Sequence, residues 1–84
     1  MTRPAIIARI VSRVQFVTGA APGEIAHDRP LKGQEIGAGT IDSLDVVEIE
    51  IAVEEAFDIQ MGAMDLKPDA SIDSIADAVI AART

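Results

Sequence analysis

An all-α fold, a small antiparallel bundle of three main helices plus one short helix, is what this sequence predicts. Three observations carry that expectation. Apolar residues recur at helical spacing in three separate stretches, 4–17, 43–57 and 72–83. Each stretch is bounded by residues that start or stop helices. No segment shows the period-two alternation of a half-buried strand. At 84 residues the chain makes a single domain over 1–84, whose modest core must use nearly every apolar stripe.

In the first stretch Pro4 suits an opening turn, where its missing N–H costs little. Ile6, Ile7, Ile10, Val11, Val14 and Val17 form an inner face, and Arg9 and Arg13 fall on the wet side. Gly19 and the run Ala20-Ala21-Pro22-Gly23 end the helix. Residues 19–41 then read as a long loop, with glycines at 19, 23, 33, 37 and 39. Its length is unusual inside a small domain, and Ile25, Leu31 and Ile36 are expected to pin it to the core.

The second helix is predicted over 43–57, with Asp42 as N-cap and Asp45 completing a shortened capping box. Steps of about 100° per residue give it two apolar stripes. Val46, Ile49, Val53, Ala56 and Phe57 face inward. Leu44, Val47 and Ile51 lie roughly opposite, bordered by Asp45, Glu48, Glu54 and Glu55. A simple surface helix needs only one stripe, so the second is left for another molecule. Residues 61–66 predict a short helical turn ended by Pro68, with Met61 and Met64 as core or rim filler. The last helix, 72–83, is capped by Ser71. It turns Ile72, Ile75, Ala76, Val79 and Ile80 inward and places Arg83 at its negative end.

The chain has no cysteine, so it holds neither a disulfide framework nor a thiolate metal site. Its start lacks the apolar run of a signal peptide and no stretch is long enough to span a membrane, which together predict a cytoplasmic protein without membrane insertion. The net charge of -7 argues against nucleic-acid binding. Between Ile41 and Leu66 there are eight acids and no Lys or Arg, a one-sign segment that steers basic partners toward it. The two Phe are the aromatic complement, so the core is expected to be almost wholly aliphatic. His27 with Asp28 offers too few ligands for a metal, and the aspartates at 58, 65, 69, 73 and 77 lack calcium-loop spacing.

Ser43, flanked by Asp42 and Asp45 in Asp42-Ser43-Leu44-Asp45, is expected at an exposed first helical turn. Serine is a weak nucleophile without a base. The only histidine is His27 in the loop, and unperturbed carboxylates are feeble bases at neutral pH. No catalytic residue is therefore assigned, and the chain is not expected to be an enzyme. Ser43 reads as a substrate of another enzyme.

The run DSLDVVEIEIAVEEAFDI, 18 residues from Asp42 to Ile59, resembles the DSLD-helix-EEEF pattern of the acyl carrier protein family. The resemblance implies an acyl-carrier-like bundle with a long first loop and a 4′-phosphopantetheine arm covalently attached to Ser43. It implies loading by a phosphopantetheinyl transferase, with Asp42 engaging Mg²⁺ during transfer. Leu44, Asp45, Val47, Glu48, Ile51, Glu54 and Glu55 become the face offered to acyl-transfer and ketoacyl synthase enzymes with basic surfaces. A monomer serving fatty-acid, polyketide or specialised lipid synthesis follows, with acyl chains sheltered between the helices. The chain departs from the family at Ala38-Gly39-Thr40-Ile41 before the motif, at Glu50 where an apolar residue is usual, and at Gln60-Met61-Gly62, which lacks the usual proline. These departures point away from the housekeeping fatty-acid role. An aminoacyl or peptidyl carrier, or an unmodified acidic helical interaction module, are the alternatives.

Overall fold

A computed structural model describes residues 1–21, 23–60 and 69–83. The expected short turn at 61–66, Met61, Met64 and Pro22 lie outside the described residues. Helix α1 spans Arg3–Thr18, one residue longer at each end than the periodicity predicts. Thr2 caps it, its hydroxyl accepting from the Ala5 N–H, and Gly19 closes it at φ 75° with its N–H on the Gln15 carbonyl. That left-handed cap is where glycine is favoured. Ile6, Ile10 and Val14 are buried; Ile7, Val11 and Val17 pack partly against the core. Phe16 is 80% exposed, which removes one of the two aromatics expected in the core. It lies about a quarter-turn off the buried face and meets the Arg13 guanidinium instead, 5.9 Å from its ring centroid.

The following loop is not structureless. Strands β1, Glu35–Ile36, and β2, Gly39–Thr40, pair antiparallel with Glu35 opposite Thr40 and Ile36 opposite Gly39. Two further bonds continue the pairing, Ile41 N–H to Gln34 O and Gly33 N–H to Ile41 O. Leu31, Ile25 and Ile41 are buried in the common core, and Ile36 packs partly against it. The Gln34 side chain accepts from the Ala26 N–H and donates to the Ala26 and Pro30 carbonyls at 3.0 Å. Glu24 spans two segments: one carboxylate oxygen accepts from the Ala21 N–H at 2.6 Å, the other from the Gly37 N–H at 2.7 Å. Those two donors, Ala21 first, hold its carboxyl below the ordinary value of 4.5.

Helix α2 spans Ser43–Phe57 and α3 spans Ile72–Arg83, both as the sequence predicts. Ser71 and Ser74 cap α3 reciprocally, each hydroxyl accepting from the other's N–H. The loop is strapped to this end through Asp73 N–H to His27 O and Leu31 N–H to Ala70 O. Helix α1 packs against both α2 and α3. Arg9, expected only to face water, reaches across to donate to the Ala56 carbonyl at 3.0 Å. Its guanidinium lies 4.9 Å from the Phe57 ring centroid, with Arg83 at 6.0 Å from the same ring. The molecule is thus mostly helical, with a two-stranded ribbon added. Among the described residues no helix is long and apolar enough to cross a membrane.

Candidate functional site at the start of α2

The start of α2 is fixed from both sides of the chain. Before it, the ribbon delivers Ile41 into the core at 1% exposure. Within it, Val46 is buried four residues into the helix, so Ile41 and Val46 occupy the positions of a hydrophobic staple around the cap. Asp42 is the N-cap, with extended backbone at φ -104°. Its Oδ1 accepts from the Asp45 N–H at 2.8 Å, and Asp45 Oδ2 accepts from the Asp42 N–H at 3.1 Å. The capping box expected from the spacing is therefore complete, with Asp doing at the third position what Glu does more often.

Ser43 is the first helical residue and is exposed. Among the described residues its hydroxyl makes no hydrogen bond. The two neighbouring carboxylates are turned to backbone donors and not to Ser43 Oγ. The hydroxyl is thus presented to solvent beside the positive end of the helix, and no base among the described residues is hydrogen-bonded to it.

Below the serine, α2 divides as expected. Val46, Ile49, Val53 and Phe57 are buried and Ala56 is half-buried. Leu44, Val47 and Ile51 are 63%, 42% and 50% exposed, and these three supply most of the exposed large aliphatics among the described residues. Glu48 and Glu55 are exposed beside them, while Glu54 and Asp45 are half-buried. At the far end Ile51, Glu54, Glu55, Asp58, Ile59 and Gln60 line a shallow groove. Asp58 closes the helix in the left-handed region at φ 53°.

Two features escape sequence reasoning. Glu50 is 2% exposed and is the one buried charged residue among the described residues. The sequence marks it as out of pattern, and its helical position beside Val46, Val53 and Phe57 is the signal that it turns inward. The Glu24 clasp gives no sequence signal, since both its donors are backbone groups. His27 is an exposed loop residue. No group of three or more His, Asp or Glu among the described residues is placed to hold a metal ion.

Compared with family models, curated proteins and solved structures, the chain matches none.

Proposed function

We propose that the protein is an acyl carrier: a small helical bundle of the acyl-carrier type that takes a 4′-phosphopantetheine arm on Ser43 and presents the tethered acyl group to separate biosynthetic enzymes. The observation that carries this reading is the Ser43 hydroxyl. It is exposed, unbonded among the described residues, and held at the first turn of a fully capped helix whose outer face is apolar and edged with acids.

The residues present fit the arm and its transfer. Ser43 Oγ has open space and free lone pairs. The first turn leaves the Ser43 and Leu44 N–H groups without helical acceptors, which favours a phosphodiester there. Asp42 commits Oδ1 to the cap, and Oδ2 stays clear of hydrogen bonds among the described residues, which suits it to a Mg²⁺ ion brought by the transferase. In transfer, Ser43 Oγ forms a bond to phosphorus, its proton passes to a base of the transferase, and the nucleotide portion of coenzyme A leaves. The arm supplies a terminal thiol on which acyl groups travel as thioesters. The chain itself performs no chemistry in this reading, because none of the described residues hydrogen-bonds Ser43 Oγ to take its proton.

Leu44, Val47 and Ile51 form the apolar centre of the docking face, and Glu48, Glu55, Glu54 and Asp45 its rim. An apolar centre with a charged rim suits transient docking to basic enzymes, with the charges acting on encounter rate and orientation. Function as a cytoplasmic monomer follows from the same reading.

The exposed stripe also supports a second reading, an unmodified interaction module, which uses the same face and leaves Ser43 idle. Incubation with coenzyme A, Mg²⁺ and a broad-specificity phosphopantetheinyl transferase, followed by intact mass measurement, separates the two. The carrier gains the mass of one arm; the interaction module stays unmodified while still binding basic partners.

A further inference from the structure

The outer face of α1 carries the opposite charge to that of α2. No acid occurs before Glu24, whereas Arg3, Arg9 and Arg13 all lie in α1. Helix α2 has no Lys or Arg. Arg3 with Asp77 is the one ion pair between described residues. Arg9 leans on Phe57 and Arg13 on Phe16, and neither has a carboxylate within ion-pair distance among the described residues. Steps of about 100° per residue bring Arg9, Arg13 and Phe16 within about 60° of one another around α1, beside the small Ala5 and Ser12. On that stripe Phe16 stands 80% exposed. Apart from Met1 at the chain start, the exposed large apolar side chains among the described residues fall on two stripes. One is Phe16 on α1, edged by arginines. The other is Leu44, Val47 and Ile51 on α2, edged by Glu48 and Glu55. The stripes also match in pitch. Leu44, Glu48, Ile51 and Glu55 follow at steps of four, three and four residues, and so do Ala5, Arg9, Ser12 and Phe16, which suits ridge-into-groove packing of one helix on the other.

We propose that the α1 face of one copy docks on the α2 face of a second copy. Phe16 then sits among Leu44, Val47 and Ile51, with the Arg9 and Arg13 guanidiniums beside Glu48 and Glu55. Arginine and aromatic side chains are common anchors of such contacts. The contact is heterologous. Helices α1 and α2 pack against each other within the chain and expose different sides, so a docked pair keeps one face of each kind free and can add further copies. The net charge of -7 opposes association. At about 0.15 M salt, charges more than about 8 Å apart are largely screened, which leaves the facing stripes to decide. The association is weak, and the dilute protein remains monomeric. Its consequence is regulatory: α1 occupies the surface that basic partner enzymes take in the carrier reading, so crowded copies withhold one another from them. The contact itself needs no arm on Ser43, so self-association and loading succeed or fail separately.

The test is weight-average mass by sedimentation equilibrium, from micromolar to millimolar protein at about 0.15 M salt. In the wild type and in Ser43→Ala the mass climbs from that of one chain toward that of two. Phe16→Ser, Arg13→Glu and Glu48→Lys each hold at one chain over the whole range. These three positions are exposed or half-buried, and a melting curve checks that each variant is folded. An equimolar mixture of Arg13→Glu and Glu48→Lys recovers association, because the intact α2 face of the first meets the intact α1 face of the second. If a charge variant fails to fold, Phe16→Ser and the wild-type curve decide the matter. A wild type that stays at one chain throughout overturns the inference and leaves the α1 face to a different partner. Association that survives Phe16→Ser and Arg13→Glu overturns it as well, as does a mixture of the two charge variants that stays at single chains.

Discussion

Asp42, Ser43 and Glu50 show how much one helix position can decide. Asp42 is the N-cap that satisfies a first-turn donor through Oδ1, so Asp42→Ala should cost about 1 kcal/mol. For a domain of this size that is a fall in melting temperature of roughly 4–8 °C, measurable by thermal circular dichroism. If the proposed carrier function holds, the same substitution should slow loading of Ser43 as well. Ser43 makes no side-chain hydrogen bond among the described residues, so its removal should cost the fold almost nothing. The role of Asp42 as cap was legible from its position before an apolar-periodic run and from Asp45 three residues on. The burial of Glu50 was missed because a glutamate is almost always drawn to water, although its helical position beside Val46, Val53 and Phe57 already pointed inward.

At the scale of elements, the three helices were legible because periodicity and capping residues agree. Gly19, Asp42 and Ser71 mark ends that the structure bears out. The ribbon was not legible, since two-residue strands leave no alternation to read and Gly37 and Gly39 look like loop. The Glu24 clasp that braces it yields a pH prediction. Its folded carboxyl lies below its ordinary value, so the clasp contributes stability that is complete above that value and is lost as pH falls through the folded one. Glu24→Gln should therefore flatten the acid limb of the stability curve below pH about 4.5, checked by urea unfolding at a series of pH values. An acid limb identical in both proteins would show that the clasp does not couple to folding. On α2, Glu48→Lys and Glu55→Lys should each weaken transferase or synthase binding by about two- to fivefold at low salt, roughly 0.4–1 kcal/mol. The difference should shrink as ionic strength rises. Affinities indifferent to both reversals and salt would reduce the acidic rim to a solubility device.

Across the whole molecule, the long connection belongs to the core as much as the helices do. Leu31 is fully buried although it lies in neither helix nor strand. Leu31→Ala should cost about 2–5 kcal/mol, a large share of what a domain this small possesses, and the loss should appear as a lower denaturation midpoint. Phe16, by contrast, is exposed, and its replacement by Ser should change stability by less than about 0.5 kcal/mol. The sequence placed Leu31 correctly and counted Phe16 wrongly for one reason. Apolar character predicts burial only when the element's geometry turns the side chain inward, and geometry was clearer for an isolated loop leucine among polar residues than for the rim of α1.

The whole account turns on Ser43 as an attachment point. Wild type and Ser43→Ala, each incubated with coenzyme A, Mg²⁺ and a phosphopantetheinyl transferase, should be compared by intact mass, fragment mass and melting curve. The account predicts that the wild type gains one arm, mapped to the fragment containing Ser43, and that Ser43→Ala gains none while melting within about 1 °C of the unmodified wild type, as expected for an exposed hydroxyl without partners. A wild type that remains unmodified under conditions that load a control carrier, or a Ser43→Ala protein that still takes the arm, would contradict it.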